Sequence, residues 1–98
     1  MFVFFFQLPS NTVELLLMGN ELYKLANNSF LSAPFLTKLD LSNNAISTIE
    51  LGALNGLSSL EFLDLSGNQL DGTSRHLVFI PLVSWLAYCL MPALRIYR

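Results

Sequence analysis

Side chains able to act as nucleophiles, acid–base groups or metal ligands are few in this chain of 98 residues. The single cysteine, Cys89, lies in an apolar stretch without a basic neighbour that would favour its thiolate, which is typical of an inert buried thiol. One cysteine also excludes an internal disulfide or a cysteine-based metal site. The single histidine, His76, has no Ser/His/Asp arrangement around it. We therefore predict no catalytic residues, no metal site and no cofactor.

The polar side chains with regular spacing are asparagines, since Asn20, Asn44 and Asn68 recur at equal intervals along the chain. Each of them lies near the end of one copy of a pattern; the copies are TVELLLMGNEL (12–22), LTKLDLSNNAI (36–46) and LEFLDLSGNQL (60–70). An amide carries both a donor and an acceptor, so it can satisfy backbone groups where the chain turns out of a buried strand. We predict that the three asparagines form a structural ladder without a catalytic role.

The elements that must position these asparagines follow from the same pattern, L-x-x-L-x-L-x-x-N-x-L, which is that of leucine-rich repeats. Its fourth and sixth residues alternate with polar neighbours at period two, as in a strand with one buried face. Each such repeat buries its apolar face only against its neighbours. The sequence therefore predicts an α/β solenoid with a short parallel sheet on its concave side.

The repeat divides the chain into three segments. Residues 1–11 are an apolar N-terminal segment and lead-in, 12–72 are the repeats (12–35, 36–59 and a partial 60–72), and 73–98 are an apolar C-terminal tail. Because about three or more repeats are usually needed for stability, we interpret the array as a fragment of a longer one. The opening run MFVFFF is too short for a signal peptide and lacks a basic flank. It is expected to add an edge strand or to be prone to aggregation.

The sequence LPSNT at residues 8–12, followed by VELLLMGNEL, resembles the junction between N-terminal cap and first repeat in animal extracellular leucine-rich-repeat proteins. The sequence GALNGL at 52–57 is similar to that family's G-A-F-x-G-L segment. The family has a cysteine cluster before the junction, which is absent here. The resemblance covers residues 8 to about 72. It implies a protein partner and an extracellular or cell-surface location.

Strand residues that point away from the interior are expected to line the concave surface. Aromatic side chains are frequent in protein interfaces, and the candidate partner-binding residues are Glu14, Leu16, Met18, Lys38, Asp40, Phe62 and Asp64. An alternative for Asp40 and Asp64 is that they only solvate the sheet. No basic patch with interleaved aromatics is present, so nucleic-acid binding is excluded. The sequon Asn27-Asn28-Ser29 predicts glycosylation of Asn27 if the chain is secreted.

The tail contains an uncharged run, LVFIPLVSWLAYCLMPAL at 77–94, between Arg75 and Arg95. As a helix it would be about 27 Å long, just short of a hydrocarbon core of about 30 Å. It is expected to be a transmembrane anchor, a helix over the open end of the solenoid, or an out-of-family ending. No further repeat is expected after residue 72.

Three functions fit these features. The first is a protein-binding module of a secreted protein or receptor ectodomain. The second is a membrane-anchored adhesion or structural protein, with residues 77–94 as the span. The third is a truncated, non-functional product. The ligand and the oligomeric state do not follow from the sequence.

Overall fold

The computed structural model of the chain describes residues 2–4, 8–70, 85 and 94–97, and residues 2–4 are described as backbone only. The strands in these ranges are β1 (Phe2–Phe4), β2 (Glu14–Leu16), β3 (Leu22–Leu25), β4 (Lys38–Asp40), β5 (Thr48–Ile49), β6 (Phe62–Asp64) and β7 (Arg95–Tyr97). They form two sheets in which neighbouring strands are parallel.

The larger sheet has four strands in the order β2-β4-β6-β7. Its register places Glu14 beside Lys38 and Lys38 beside Phe62. Both steps equal the interval between successive asparagines, so the period of the sequence is also the register of this sheet. Leu39 and Leu63, at the centres of β4 and β6, are fully buried. The predicted parallel sheet built from successive repeats is therefore confirmed.

The smaller sheet has three strands in the order β1-β3-β5, and β3 and β5 again pair at the repeat spacing. The rest of each repeat consists of turns, and residues 8–70 contain no α-helix. The helical half of the predicted α/β solenoid is therefore wrong for this part of the chain. Asn28, Gly52 and Gly56 explain the difference, because their φ angles of 59°, 85° and 89° are left-handed and interrupt a right-handed helix.

The core is made of apolar side chains from equivalent positions in the repeats. Each buried leucine or isoleucine stabilises the fold by roughly 1.5–3 kcal/mol, so stacking the turns supplies most of the driving force. The buried apolar residues are Leu22, Leu25, Phe30, Ala33, Leu36, Leu39, Leu41, Ile46, Ile49, Ala53, Leu54, Leu57, Leu60, Leu63, Leu65 and Trp85.

The C-terminal segment returns to the larger sheet. β7 pairs with β6 outside the repeat period, since Phe62 lies beside Arg95 and Asp64 beside Tyr97. Hydrogen bonds join the Arg95 amide to the Glu61 carbonyl (3.0 Å) and the Leu65 amide to the Tyr97 carbonyl (2.6 Å). β7 thus adds a strand to this sheet after residue 72 without the spacing of a further repeat. The alternation of Arg95, Ile96 and Tyr97 forms a strand because Ile96 packs against the core while its neighbours stay exposed.

The helix predicted over residues 77–94 is not supported, and that range lies outside the described residues except for Trp85 and Leu94. Trp85 is 5% exposed within the core, and Leu94 packs against the core. Within the ranges that the structure describes, no helix is long and apolar enough to cross a membrane.

The N-terminal run contributes the edge strand that its composition predicts. β1 pairs in parallel with β3, so it extends the smaller sheet and not the larger one. The chain then reaches β2 through a turn in which the Thr12 amide donates to the Pro9 carbonyl at 3.0 Å. The Leu8 amide donates to Ser32 Oγ at 2.9 Å, which fixes this lead-in to the first repeat.

Candidate functional site

The outer face of the four-stranded sheet is the face that points away from the core. It carries two rows of side chains that run across the strands. The mixed-charge row consists of Glu14, Lys38, Phe62 and Arg95, which lie side by side in the strand register. The acidic row consists of Leu16, Asp40, Asp64 and Tyr97, two residues further along each strand. Two residues of strand span about 6.6 Å, so the two rows form one continuous surface.

Phe62 lies at the centre of this surface. The Lys38 Nζ lies 5.1 Å from the centroid of the Phe62 ring, within the range of a cation–π contact. On its other side the ring lies 5.1 Å from that of Tyr97, with an angle of 39° between the planes. The phenyl ring is thus held between a cation and a second aromatic ring, and both contacts reduce its conformational freedom.

The carboxylates of the acidic row are bonded to the chain where each strand ends. Asp40 Oδ1 accepts from the Ser42 amide at 3.0 Å and from Ser42 Oγ at 2.7 Å. Asp64 Oδ1 accepts from the Ser66 amide at 2.9 Å and from Ser66 Oγ at 2.6 Å. Each aspartate therefore shapes the turn after its strand through one carboxylate oxygen, and its side chain lies at the partly exposed surface.

β2 and the residues next to it add an apolar part to the surface. Leu16 is 48% exposed and Met18 is 45% exposed, and Val13 beside them is 49% exposed. These side chains lie at the end of the sheet where β2 is the outermost strand. A protein partner would remove this apolar area from water, which favours association.

The three predicted ladder asparagines lie at the turns after β2, β4 and β6. The Asn44 amide nitrogen donates to the carbonyls of Leu41 (3.0 Å), Ser42 (3.2 Å) and Leu17 (3.1 Å). Its oxygen accepts from the Leu22 amide at 3.3 Å. One side chain thus joins two successive repeats.

Asn68 makes the equivalent contacts one repeat later. Its nitrogen donates to the carbonyls of Leu65 and Leu41, both at 2.9 Å, and its oxygen accepts from the Ile46 amide at 3.0 Å. Asn20, in the first repeat, is exposed and donates to the Leu17 carbonyl at 2.8 Å within its own turn.

An ion pair joins the first two repeats at the smaller sheet. Glu50 Oε1 accepts from the Asn27 amide at 2.7 Å, and Glu50 Oε2 lies 3.2 Å from Lys24 Nζ. The Asn27 hydrogen bond, followed by the hydrogen bond and charge of Lys24, lowers the pKa of Glu50. Asn27, the predicted glycosylation site, is exposed in the turn after β3. Ser29 of the same sequon is buried and donates from Oγ to the Ala26 carbonyl at 2.6 Å.

The remaining side chains considered for chemistry are the single histidine and the single cysteine. His76 and Cys89 lie outside the described residues. Within the described ranges, no group of three or more histidine, cysteine, aspartate or glutamate side chains could hold a metal ion.

Arg95 and Tyr97 belong to this surface, but the sequence analysis does not predict them as surface residues. They pair with β6 outside the repeat period, so a search for copies of the repeat passes over them. The signal that could have found them is the alternation of Arg95, Ile96 and Tyr97 behind an apolar residue, Leu94.

The fold and the two rows define a short parallel-strand solenoid with an exposed sheet face. Residues 10–70 match the family described as leucine rich repeat, and the chain belongs to that family. It is 46% identical over 70 residues to leucine-rich repeat-containing protein 3 of Danio rerio, covering 70% of this chain and 26% of the relative. It is 40% identical over 63 residues to mimecan of Homo sapiens, covering 64% of this chain and 21% of the relative.

A third similarity is to leucine-rich repeat-containing G-protein coupled receptor 5 of Homo sapiens, 43% over 68 residues, covering 65% of this chain and 8% of the receptor. These relatives confirm the resemblance to animal leucine-rich-repeat proteins of the extracellular type. The chain spans about a quarter or less of their length. No solved structure matches the chain.

Proposed function

We propose that this chain is a protein-binding module of an extracellular or cell-surface leucine-rich-repeat protein, with the outer face of the four-stranded sheet as its binding surface. The observation that carries the proposal is the position of Phe62, which Lys38 and Tyr97 hold from two sides on that face. An aromatic ring with restricted freedom loses little entropy when a partner covers it. Such aromatic anchors dominate the energy of many protein interfaces.

The surface around Phe62 favours a polypeptide partner over a polyanion. It carries both signs of charge, with Lys38 and Arg95 in one row and Asp40 and Asp64 in the other. A polyanion would meet the two carboxylates, whereas a protein surface can offer complementary charges to both rows. No catalytic step is part of this proposal.

The apolar tail is proposed to cover the last repeat and not to anchor the chain in a membrane. The burial of Trp85 among the core leucines supports this, as does the pairing of β7 with β6. Without a last layer, Leu63 and Leu65 would face water at the end of the solenoid. The pairing of β7 with β6 also puts Arg95 and Tyr97 on the face that we propose for binding.

The proposal can be tested with a protein microarray of secreted proteins and receptor ectodomains. The microarray is probed with the purified chain and with two surface variants. Phe62→Ala removes the central ring, and Lys38→Glu reverses the charge beside it. Both residues are partly exposed, so the circular-dichroism spectrum should be unchanged. Partners that bind the wild-type chain should be lost or weakened at least tenfold with both variants.

The matched control is Asn55→Ala, since Asn55 is exposed in the turn region away from the four-stranded sheet. It should bind like the wild type. Binding that disappears with Asn55→Ala and persists with Phe62→Ala would place the partner on the opposite side and overturn the proposal.

A further inference from the structure

Among the described residues, each end of the four-stranded sheet has an edge that no other strand pairs with. β2 is the outermost strand at one end and β7 at the other. At the two ends of β2, the Val13 carbonyl accepts from the Lys38 amide (3.3 Å), and the Leu17 amide donates to the Asp40 carbonyl (2.8 Å). Backbone groups of a strand point alternately to its two sides. The amide and carbonyl groups of Glu14 and Leu16 therefore point away from β4, to the outer edge.

β7 has the opposite phase. The Arg95 amide and the Tyr97 carbonyl bond to β6, at 3.0 and 2.6 Å. By the same alternation, the backbone groups of Ile96 point to the outer edge of β7. The outward groups of Ile96 fit between those of Glu14 and Leu16 when the two strands lie parallel. This is the phase relation that already joins β6 to β7 within one chain.

The side chains agree with this register. Extending the mixed-charge row by one strand places Arg95 of one copy beside Glu14 of the next. Extending the acidic row places Tyr97, 44% exposed, beside Leu16, 48% exposed. Both charged residues are exposed as well. An opposite-charge pair and an aromatic–aliphatic pair thus meet at one edge, and such cross-strand pairs stabilise a sheet.

The layers at the two ends are also complementary. The layer before β2 contributes β1 to the smaller sheet, and no strand of the described residues lies against the outer edge of β2. The last described layer contributes β7 to the larger sheet. We propose that this chain self-associates head to tail, with the β7 edge of one copy pairing in parallel with the β2 edge of the next. Because the two surfaces differ, the contact does not close on itself, and assemblies lengthen with concentration.

Sedimentation velocity from about 1 μM to about 1 mM tests the proposal, since a contact of one strand edge is small and expected to be weak. The average mass should rise continuously with concentration for the wild-type chain. Glu14→Arg and Arg95→Glu should each weaken association about tenfold, because each replaces the opposite-charge pair with a like-charge pair. High salt should weaken the wild-type contact in the same direction.

The double variant Glu14→Arg/Arg95→Glu restores an opposite-charge pair and should recover most of the wild-type association. Asn55→Arg, on a turn away from both edges, is the control for added positive charge and should associate like the wild type. Circular dichroism of each variant checks the fold.

Two results would overturn the proposal. One is a chain that stays monomeric at every concentration. The other is a closed dimer whose loss with Glu14→Arg is not recovered in the double variant, as expected if two β2 edges paired with each other.

Discussion

The side chain of Asn44 donates to the backbone carbonyl of Leu17 at 3.1 Å and so joins two residues 27 positions apart. The same nitrogen donates to the Leu41 carbonyl at 3.0 Å, at the equivalent place in its own repeat. One amide therefore pairs the carbonyls that two successive turns leave inside the solenoid. An asparagine at every repeat is the consequence, because a shorter or apolar side chain would leave these groups without partners.

We predict that Asn44→Ala destabilises the chain more than Asn20→Ala. Asn44 is buried and spans two repeats, whereas Asn20 is exposed and bonds within its own turn. Buried groups left without partners cost about 1–3 kcal/mol each, so the loss should approach the whole stability of a small array. Urea unfolding monitored by circular dichroism measures the unfolding midpoints of both variants. Equal midpoints for the two variants would contradict the ladder.

Asn43 provides a second comparison, but alanine is the wrong substitution there. Its φ angle is 55°, and the equivalent residues Gly19 and Gly67 have φ angles of 73° and 69°. An alanine would add backbone strain of about 1–2 kcal/mol in this left-handed conformation. Asn43→Gly should therefore be close to neutral, and Asn43→Ala should cost more. If both cost as much as Asn44→Ala, the turn and not the ladder sets the stability.

The repeat period was sufficient to predict the register of three strands, because each leucine of the pattern packs against its copy in the next repeat. The turns were not predictable from that pattern. The spacing of leucines constrains which side chains face the interior, and it leaves the backbone between them free to form helices or turns. Asn28 and Gly52 decide in favour of turns through their left-handed φ angles.

The candidate surface was predicted as far as β6 and no further. Glu14, Lys38 and Phe62 follow from the repeat, and the register indeed places them in one row. The last member of that row, Arg95, comes from a strand that follows β6 at a different spacing. Edge pairing of a strand depends on an open backbone edge in space, which no spacing in the sequence displays.

Acid should remove a contact between the first two repeats. The Asn27 amide and then Lys24 lower the pKa of Glu50 in the folded chain from its ordinary value of 4.5. The stabilisation is therefore fully present above pH 4.5 and is lost as the pH falls through the lower, folded value. Unfolding midpoints between about pH 6 and pH 3 should converge for wild type and Glu50→Gln as the pH falls. The difference in unfolding midpoint between Lys24→Gln and Glu50→Gln should change less with pH than the difference between wild type and Glu50→Gln. The reason is that Lys24→Gln removes one of the groups that lower the pKa of Glu50.

We predict that Asn27 can be glycosylated in the folded chain. The residue is exposed in the turn after β3, which is a strand of the smaller sheet. Directed to the secretory pathway of animal cells by an added signal peptide, the chain should gain mass that an N-glycosidase removes. Asn27→Gln should abolish that gain and leave partner binding unchanged. A wild-type chain secreted without a glycan would contradict the prediction.

Replacing Trp85 should show whether the tail belongs to the fold. Trp85 is 5% exposed among the core leucines. Removing a buried aromatic side chain typically costs about 3–5 kcal/mol, which is comparable with the total stability of a small domain. Trp85→Ala should therefore lower the unfolding midpoint sharply, whereas Phe35→Ala, at an exposed aromatic position, should change it little. If the two variants unfold together, Trp85 does not contribute to the core.

Deleting residues 75–98 distinguishes a capping tail from a membrane anchor, because the two interpretations predict opposite changes in solubility. A capping tail covers Leu63 and Leu65 and supplies β7 to the edge of β6, so its loss should expose a leucine-rich end and cause aggregation. Loss of an anchor should instead release a more soluble protein.

Carbonate extraction of the full chain from microsomes gives an independent result. We expect the chain in the supernatant, since Trp85 is buried in the core and Arg95–Tyr97 pair with β6. Retention in the membrane pellet, together with improved solubility on deletion, would show that the apolar tail spans the bilayer.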